Sequence, residues 1–318
     1  MGMVIDGHWT ENPPEETGTG GEFRRIPSVF RDRITADGSS GYPATAGRYH
    51  LYVGYHCPWA HRTIMFRVLK KLEHAISISY CLPYFRENGW TFDLRPECPD
   101  CTLDQINNFH YLYEAYIKAD PHYTGKVTIP VLWDKETNKI INNESSEIIR
   151  MFNSEFVGIA GDDTDYYPEP LRKEIDAIND FIYTNVNNGV YRCGFARSQE
   201  AYDAAYTALF SALDQLEARL ASRRYLLGDQ QTEADWRLFP TLVRFDVAYF
   251  SIFKCNRQRM SDFPNLWRFT RDLYSTPGIA ATVKPRIYVQ NYYSIERVNP
   301  TGIIPCGTPV DFGVAASH

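Results

Sequence analysis

A chain of 318 residues, 44% hydrophobic and 14% aromatic, is long enough for two domains and rich enough to fill both cores. A net charge of −6, with no basic run interleaved with aromatics, argues against nucleic acid as a partner. No apolar run reaches membrane-spanning length, residues 1–9 lack the basic-then-apolar order of a signal peptide, and residues 316–318 form no retention or peroxisomal address, so a cytoplasmic protein without membrane contact is expected.

Residues 1–46 are rich in Gly, Pro, Glu and Thr without an apolar period, and are expected to form an extended N-terminal arm, with a short ordered piece around Phe23-Arg24-Arg25-Ile26-Pro27. Tyr49-His50-Leu51-Tyr52-Val53 has the β-branched and aromatic content of a strand. Pro58 suits the first helical position, and Ile64, Met65, Val68, Leu69 and Leu72 share one helical face, so a helix is expected over 58–73. A second strand follows at 76–82, where Ile76, Ile78 and Tyr80 alternate. A polar loop carries Asn88-Gly89-Trp90-Thr91-Phe92 and Cys98-Pro99-Asp100-Cys101, and a short helix is expected near 108–119. Residues 128–133, a turn at 134–138 and residues 139–142 predict a hairpin, and Asn143-Glu144-Ser145-Ser146-Glu147 opens a helix through Phe152. The order βαβ, β-hairpin, α is the thioredoxin-like layout, here over 47–154.

Residues 162–170 are acidic, tyrosine-rich and end in proline, as a linker would be. Beyond them an all-helical domain is expected over 170–285. Ile175, Ile178, Ile182 and Val186 mark one helix, and Leu209, Leu213, Leu216 and Leu220 another. Thr232-Glu233-Ala234-Asp235 reads as a capping box before the apolar run 238–253. Residues 286–318 read as a C-terminal extension, aromatic and without helical period.

Cys57 carries the chemistry. It stands between a strand and a proline-opened helix, where unpaired N–H groups and the positive end of the dipole favour a thiolate; His61 and Arg62 add positive charge. A small buried cysteine would satisfy packing alone, but would not explain that placement. Position 60 is Ala, so Cys57-Pro58-Trp59-Ala60 has no resolving thiol three residues on, and its disulfide must pass to an outside thiol such as glutathione. Seven cysteines scattered through the chain fit reduced thiols better than a disulfide framework. Cys98 and Cys101 form a true C-x-x-C, but with no strand before it and no second pair to complete a zinc site; no metal is expected. Cys81, Cys193, Cys255 and Cys306 read as packing residues. Ile129-Pro130 starts a strand that should face Cys57, and Glu144-Ser145 offers a carboxylate, a hydroxyl and free N–H groups, which suit a γ-glutamyl group as well as a plain helix cap.

Taken together these stretches resemble the glutathione transferase superfamily, and specifically its glutathionyl-hydroquinone reductases, the Xi class. The likeness runs over nearly the whole chain. It includes residues 47–53, Cys57-Pro58-Trp59-Ala60-His61-Arg62-Thr63, Glu87-Asn88-Gly89-Trp90-Thr91-Phe92, residues 127–135 and 143–149, Asn187-Asn188-Gly189-Val190-Tyr191-Arg192, Arg244-Phe245-Asp246, Asn291-Tyr292-Tyr293 and Asn299-Pro300. The cysteine motif alone does not separate this class from omega-type transferases; the Asn-Gly-Tyr stretch, the long arm and the double tyrosine do. The resemblance implies a thioredoxin-like domain followed by a helical bundle, in a homodimer. It also implies that Cys57 is catalytic, that Trp90, Lys126, Ile129, Glu144 and Ser145 bind glutathione as co-substrate, and that Tyr191, Tyr249, Tyr292 and Tyr293 line the site for a glutathionylated hydroquinone. His56 departs from the small residue usual before the cysteine, and Lys126 stands where an arginine would also fit. The alternatives are an omega-like thioltransferase or dehydroascorbate reductase, or a non-catalytic relative of the fold.

Overall fold

The computed structural model describes residues 2–11, 17–84, 88–307 and 310–313. Glu87 and residues 316–318, quoted above, lie outside the described residues. The chain forms two compact units. One comprises Met1–Glu15 and Pro27–Thr164, the other Glu16–Ile26 and Asp165–His318. Residues 1–46 are thus shared between the units rather than forming one separate piece.

In the first unit, β1 (Met3–Ile5) and β2 (His8–Thr10) precede β3 (Tyr49–Val53), α1 (Pro58–Leu69), β4 (Ile76–Tyr80) and α2 (Leu112–Ala119). After them come β5 (Gly125–Lys126), β6 (Val131–Asp134), β7 (Lys139–Asn142) and α3 (Ser145–Ser154). The main sheet runs β4-β3-β6-β7, with β3 parallel to β4 and antiparallel to β6. All five residues of β3 are buried, as expected of a central strand covered on both faces. The expected thioredoxin-like order is present, and α1 and α3 pack together. Helix α1 stops at Leu69 instead of continuing to residue 73, because Lys71 takes a left-handed φ of 51° and closes the turn.

The extended-arm expectation is corrected at the N-terminus. β1 and β2 form a hairpin whose turn, Asp6-Gly7, has φ of 46° and 73°, and β1 adds β5 on its other side to give a small antiparallel sheet.

The second unit is helical. It contains α4 (Arg172–Ile182), α5 (Gly189–Gly194), α6 (Gln199–Leu220), α7 (Glu233–Arg244), α8 (Phe250–Ile252), α9 (Pro264–Tyr274) and α10 (Pro285–Tyr293). The periodic residues Ile175, Ile178, Ile182 and Val186 and the four leucines of α6 are buried. The Thr232/Asp235 capping box forms at the start of α7. Two π-helical turns, Tyr183–Asn187 and Phe245–Tyr249, interrupt this bundle; the second breaks the apolar run 238–253. The non-helical tail is a second correction. Pro285 opens α10, and Ile287, Tyr288, Asn291 and Tyr292 bury one face of it. That stripe is largely tyrosine, which hides the period from a hydropathy reading.

No helix among the described residues is long and apolar enough to cross a membrane.

Candidate active site

Cys57 is the N-cap of α1, in extended conformation (φ −81°, ψ 122°), with Pro58 at the first helical position. Its thiol is partly exposed and donates to the carbonyl of Ile129 at 3.6 Å. Ile129 precedes Pro130 across a cis peptide bond. Thus the cysteine and Ile129, far apart in sequence, meet as expected. His56 is buried and stacks on Trp90 with ring centroids 4.4 Å apart. A larger residue at 54 would collide with this arrangement, since a Cβ on Gly54 would lie 2.4 Å from the His56 ring and 2.9 Å from Cys81 Sγ. His61 and Arg62 are also buried, and the Arg62 guanidinium sits 4.7 Å from the Trp59 ring centroid.

Glu144 is the N-cap of α3. One carboxylate oxygen accepts Ser146 N at 3.2 Å and Ser146 Oγ at 2.9 Å; the other accepts Ser28 Oγ at 3.1 Å. It is therefore a helix cap, though still part-exposed. Ser145 is 2% exposed, and its hydroxyl has no hydrogen-bond partner among the described residues. A buried hydroxyl without a partner is costly unless a ligand completes it. The helix N-terminus around it is suited to a carboxylate. Lys126 lies on β5, paired with Met3 of β1, and its carbonyl accepts the Tyr123 hydroxyl at 2.7 Å.

Among the other cysteines, Cys81, Cys193 and Cys255 are buried and Cys306 is exposed. Burial pushes the Cys81 thiol up, with the Cys57 thiol adding to the effect, so Cys81 does not compete as a nucleophile. The expectation of seven unpaired thiols is corrected at one place: Cys98 and Cys101 are joined by a disulfide.

The second unit gathers three of the four expected tyrosines. The Tyr292 hydroxyl lies 2.7 Å from that of Tyr191 and 2.8 Å from that of Tyr249. Burial raises both Tyr249 and Tyr292 far above an ordinary phenol. Tyr293 stands outside this chain of hydroxyls. The π-turns explain the convergence, since one immediately precedes the helix of Tyr191 and the other ends on Tyr249. Such turns re-aim side chains and recur at functional sites. Phe253 packs against Tyr191, Tyr249 and Tyr292 with centroids 5.4, 5.4 and 5.5 Å away. A Cβ on Gly194 would fall 2.3 Å from that phenyl ring, so α5 needs glycine there.

Three residues here were given no site role from the sequence. Arg25 of the arm places its guanidinium 4.9 Å from the Tyr191 ring centroid and donates to Asn188 Oδ1 at 3.0 Å. Arg244 is fully buried, 3.8 Å from the Tyr288 ring centroid. Phe253 sits within an apolar run that looked like ordinary core. The sequence marked Phe23-Arg24-Arg25 as an ordered spot in a polar arm and Arg244-Phe245-Asp246 as a stretch of the resemblance, without giving Arg25 or Arg244 a role in the site.

Two family descriptions match the chain: glutathione S-transferase, N-terminal domain, over residues 56–155, and glutathione S-transferase, C-terminal domain, over residues 199–272. The chain is 50% identical over 315 residues to glutathionyl-hydroquinone reductase YqjG of Escherichia coli, covering 96% of this chain and 95% of that protein. The chain belongs to the glutathionyl-hydroquinone reductases, the Xi class of the glutathione transferase superfamily. Among solved structures, glutathione-bound YqjG superposes with a TM-score of 0.89 at 47% identity, covering 98% of this chain and 97% of that one. An Xi-class transferase from Natrialba magadii gives a TM-score of 0.93 at 46% identity, covering 100% of this chain and 96% of the other. In an Xi-class chain, the Cys57 N-cap and the tyrosine chain are the features whose chemistry needs explaining.

Proposed function

We propose that this protein is a glutathione-dependent reductase that removes glutathione from glutathionyl-hydroquinones, giving the hydroquinone and oxidised glutathione. The observation that carries the reading is a lone, part-exposed thiol at the N-cap of α1, with Ala60 where a resolving cysteine would stand. Kinship at 50% identity with a protein named glutathionyl-hydroquinone reductase supports it.

The Cys57 thiolate attacks the glutathionyl sulfur of the substrate's keto tautomer, whose sulfur-bearing carbon already holds a proton. A Cys57–glutathione disulfide forms as the carbon–sulfur bond breaks. The electron pair flows through the ring to the carbonyl oxygen, which becomes a phenolate and is protonated. A second glutathione attacks the mixed disulfide, releasing oxidised glutathione and the free thiolate. Over the cycle the ring carbon gains two electrons, and the thioether sulfur and the second glutathione's thiol sulfur lose one each, so the electrons balance. In this reading Trp90, Lys126, Ile129, Glu144 and Ser145 hold glutathione, and the unpartnered Ser145 hydroxyl is the support for that role. Tyr191, Tyr249, Tyr292 and Tyr293 serve the aromatic ring, their hydroxyls stabilising the oxygen on which charge develops. The reading includes a cytoplasmic homodimer acting in quinone detoxification.

The test assays menadione–glutathione against dehydroascorbate. Turnover of the first with little of the second is expected. The reverse preference would make the protein an omega-like reductase, and inactivity on both would make it a non-catalytic relative.

A further inference from the structure

The N-terminal hairpin lies along two segments of the first unit, and each of its strands holds one of them. β1 pairs with β5 in the register Met3–Lys126 and Val4–Gly125, and Val4 is fully buried. At the turn, Asp6 N–H donates to the Thr124 hydroxyl at 2.8 Å and Gly7 N–H to the Tyr123 carbonyl at 3.0 Å. A Cβ on Gly7 would fall 2.1 Å from the Pro121 carbonyl oxygen, so the turn fits closely against that loop. Residues 3–7 thus brace the backbone that presents Lys126.

β2 holds the other segment. Trp9 stacks on Tyr113 of α2, with centroids 5.1 Å and planes 18° apart. Its indole also lies against Gly89, where a Cβ would fall 2.8 Å from Trp9 Cη2. Gly89 has a φ of 73°, a left-handed conformation that leads the chain into Trp90. The Trp90 carbonyl accepts the N–H of Leu112, the first residue of α2, at 2.9 Å. The Trp90 ring stacks in turn on His56, the neighbour of Cys57. Strands of three residues make a hairpin that is marginal alone, so its order depends on these contacts. We infer that the hairpin is a positioning element of the glutathione site: β1 sets Lys126, and Trp9 sets Gly89 and through it Trp90, so that both residues meet one glutathione. By reciprocity, bound glutathione stabilises the docked hairpin by the same factor with which the hairpin improves affinity.

The inference rests on the reading that Trp90 and Lys126 hold glutathione. Reduced glutathione is titrated by calorimetry into wild type, Trp9→Ala, Trp9→Leu, Trp9→Phe and His8→Ala, and KM and kcat are measured with menadione–glutathione. Trp9→Ala should weaken glutathione binding about tenfold and raise its KM alike, with kcat within about twofold of wild type. Phe keeps a ring for the stack and should restore most of the loss. His8→Ala, an exposed change on the same strand, should bind as wild type does. Trp9→Leu keeps apolar bulk without an aromatic face and carries the comparison if Ala fails to fold. Wild-type affinity in the Ala or Leu variant, a fall in kcat alone, or an equal loss in His8→Ala would overturn the inference and leave the hairpin a structural edge. Hydrogen exchange of the residue 3–10 amides needs no variant: saturating glutathione should make hairpin opening about tenfold rarer, and unchanged exchange would refute the coupling. Wild type that binds glutathione but leaves menadione–glutathione unreacted would defeat the reductase reading alone, since calorimetry and exchange still decide this one. Wild type that binds no glutathione would overturn both.

Discussion

The Cys57 thiol and the Ile129 carbonyl, 3.6 Å apart, join the start of α1 to the strand that follows Pro130. The sulfur is thereby held, partly exposed, at the α1 N-terminus. Position and partner are set by the backbone, so a hydroxyl can replace the thiol without repacking. Cys57→Ser should keep the fold and the unfolding midpoint of the wild type and lose the reductase reaction, because an alcohol is too weakly acidic to attack sulfur at neutral pH. Circular dichroism and turnover of menadione–glutathione check this; turnover within a few-fold of wild type would sink the mechanism.

Exposure decides which cysteines an alkylating reagent finds. Cys57 is partly open and Cys306 exposed, Cys81, Cys193 and Cys255 are buried, and Cys98 and Cys101 are bonded to each other. Brief iodoacetamide treatment of the native protein, followed by peptide mass spectrometry, should label Cys57 and Cys306 only. Prior oxidation with glutathione disulfide should protect Cys57. Rapid labelling of Cys81 would mean that the sheet around β4 opens.

Glu144 has two possible duties, and its hydrogen bonds show the cap already in place. Glu144→Ala removes cap and charge together, whereas Glu144→Asn keeps a capping oxygen and removes the charge. Both should raise the apparent constant for glutathione about tenfold with a smaller fall in the chemical rate, since a charge-assisted contact to the γ-glutamyl amine is lost. Calorimetry that finds wild-type affinity in Glu144→Asn would leave Glu144 as a cap alone.

Serine at both Cys98 and Cys101 should change kcat/KM by less than about twofold. The loop that carries them is tied to β4 by Thr102, whose N–H donates to the Tyr80 carbonyl at 2.9 Å and whose hydroxyl accepts Tyr80 N at 2.9 Å. Asp104 then gathers Ile106 N, Asn107 N and Phe109 N. These bonds survive the substitutions. A large loss of activity would show that the disulfide holds Trp90.

Where local chemistry announces itself, the sequence was readable. Pro58 after Cys57, the alternation in β4, the leucine period of α6 and the Thr232/Asp235 box each encode one local geometry, and each formed. The N-terminal hairpin was readable too, since Ile5-Asp6-Gly7-His8 holds the Asp-Gly pair that a two-residue turn prefers, but the polar composition of the arm masked it. Helix α10 escaped because its buried stripe, apart from Ile287, is tyrosine and asparagine. The disulfide joins residues only three apart, but a C-x-x-C pair reads the same whether reduced or bonded; the convergence of Arg25, Arg244 and Phe253 near the tyrosines depends on contacts between residues distant in the chain, which no local pattern records.

His50 gives the stability of the first unit a pH dependence. It lies on β3, 0% exposed, with Nδ1 2.8 Å from the Ser77 hydroxyl. Burial, reinforced by Lys135 and Arg67, pushes the imidazole down to about 3 from 6.5. Between those values the unfolded chain binds a proton that the folded chain does not. His50 therefore stabilises the fold fully above pH 6.5, and that contribution is lost as pH falls, by about 1.4 kcal/mol per unit. Asp235 has the opposite sign, because burial pushes its carboxyl up to about 6 from 3.8 and its contribution to stability falls as pH rises through that window. Comparing wild type with His50→Gln removes the Asp235 contribution, which both proteins share. Urea unfolding at pH 7 and pH 5 should show wild type losing about 2 kcal/mol more than the variant on acidification. An identical loss in the two proteins would mean that His50 takes up its proton without unfolding the sheet.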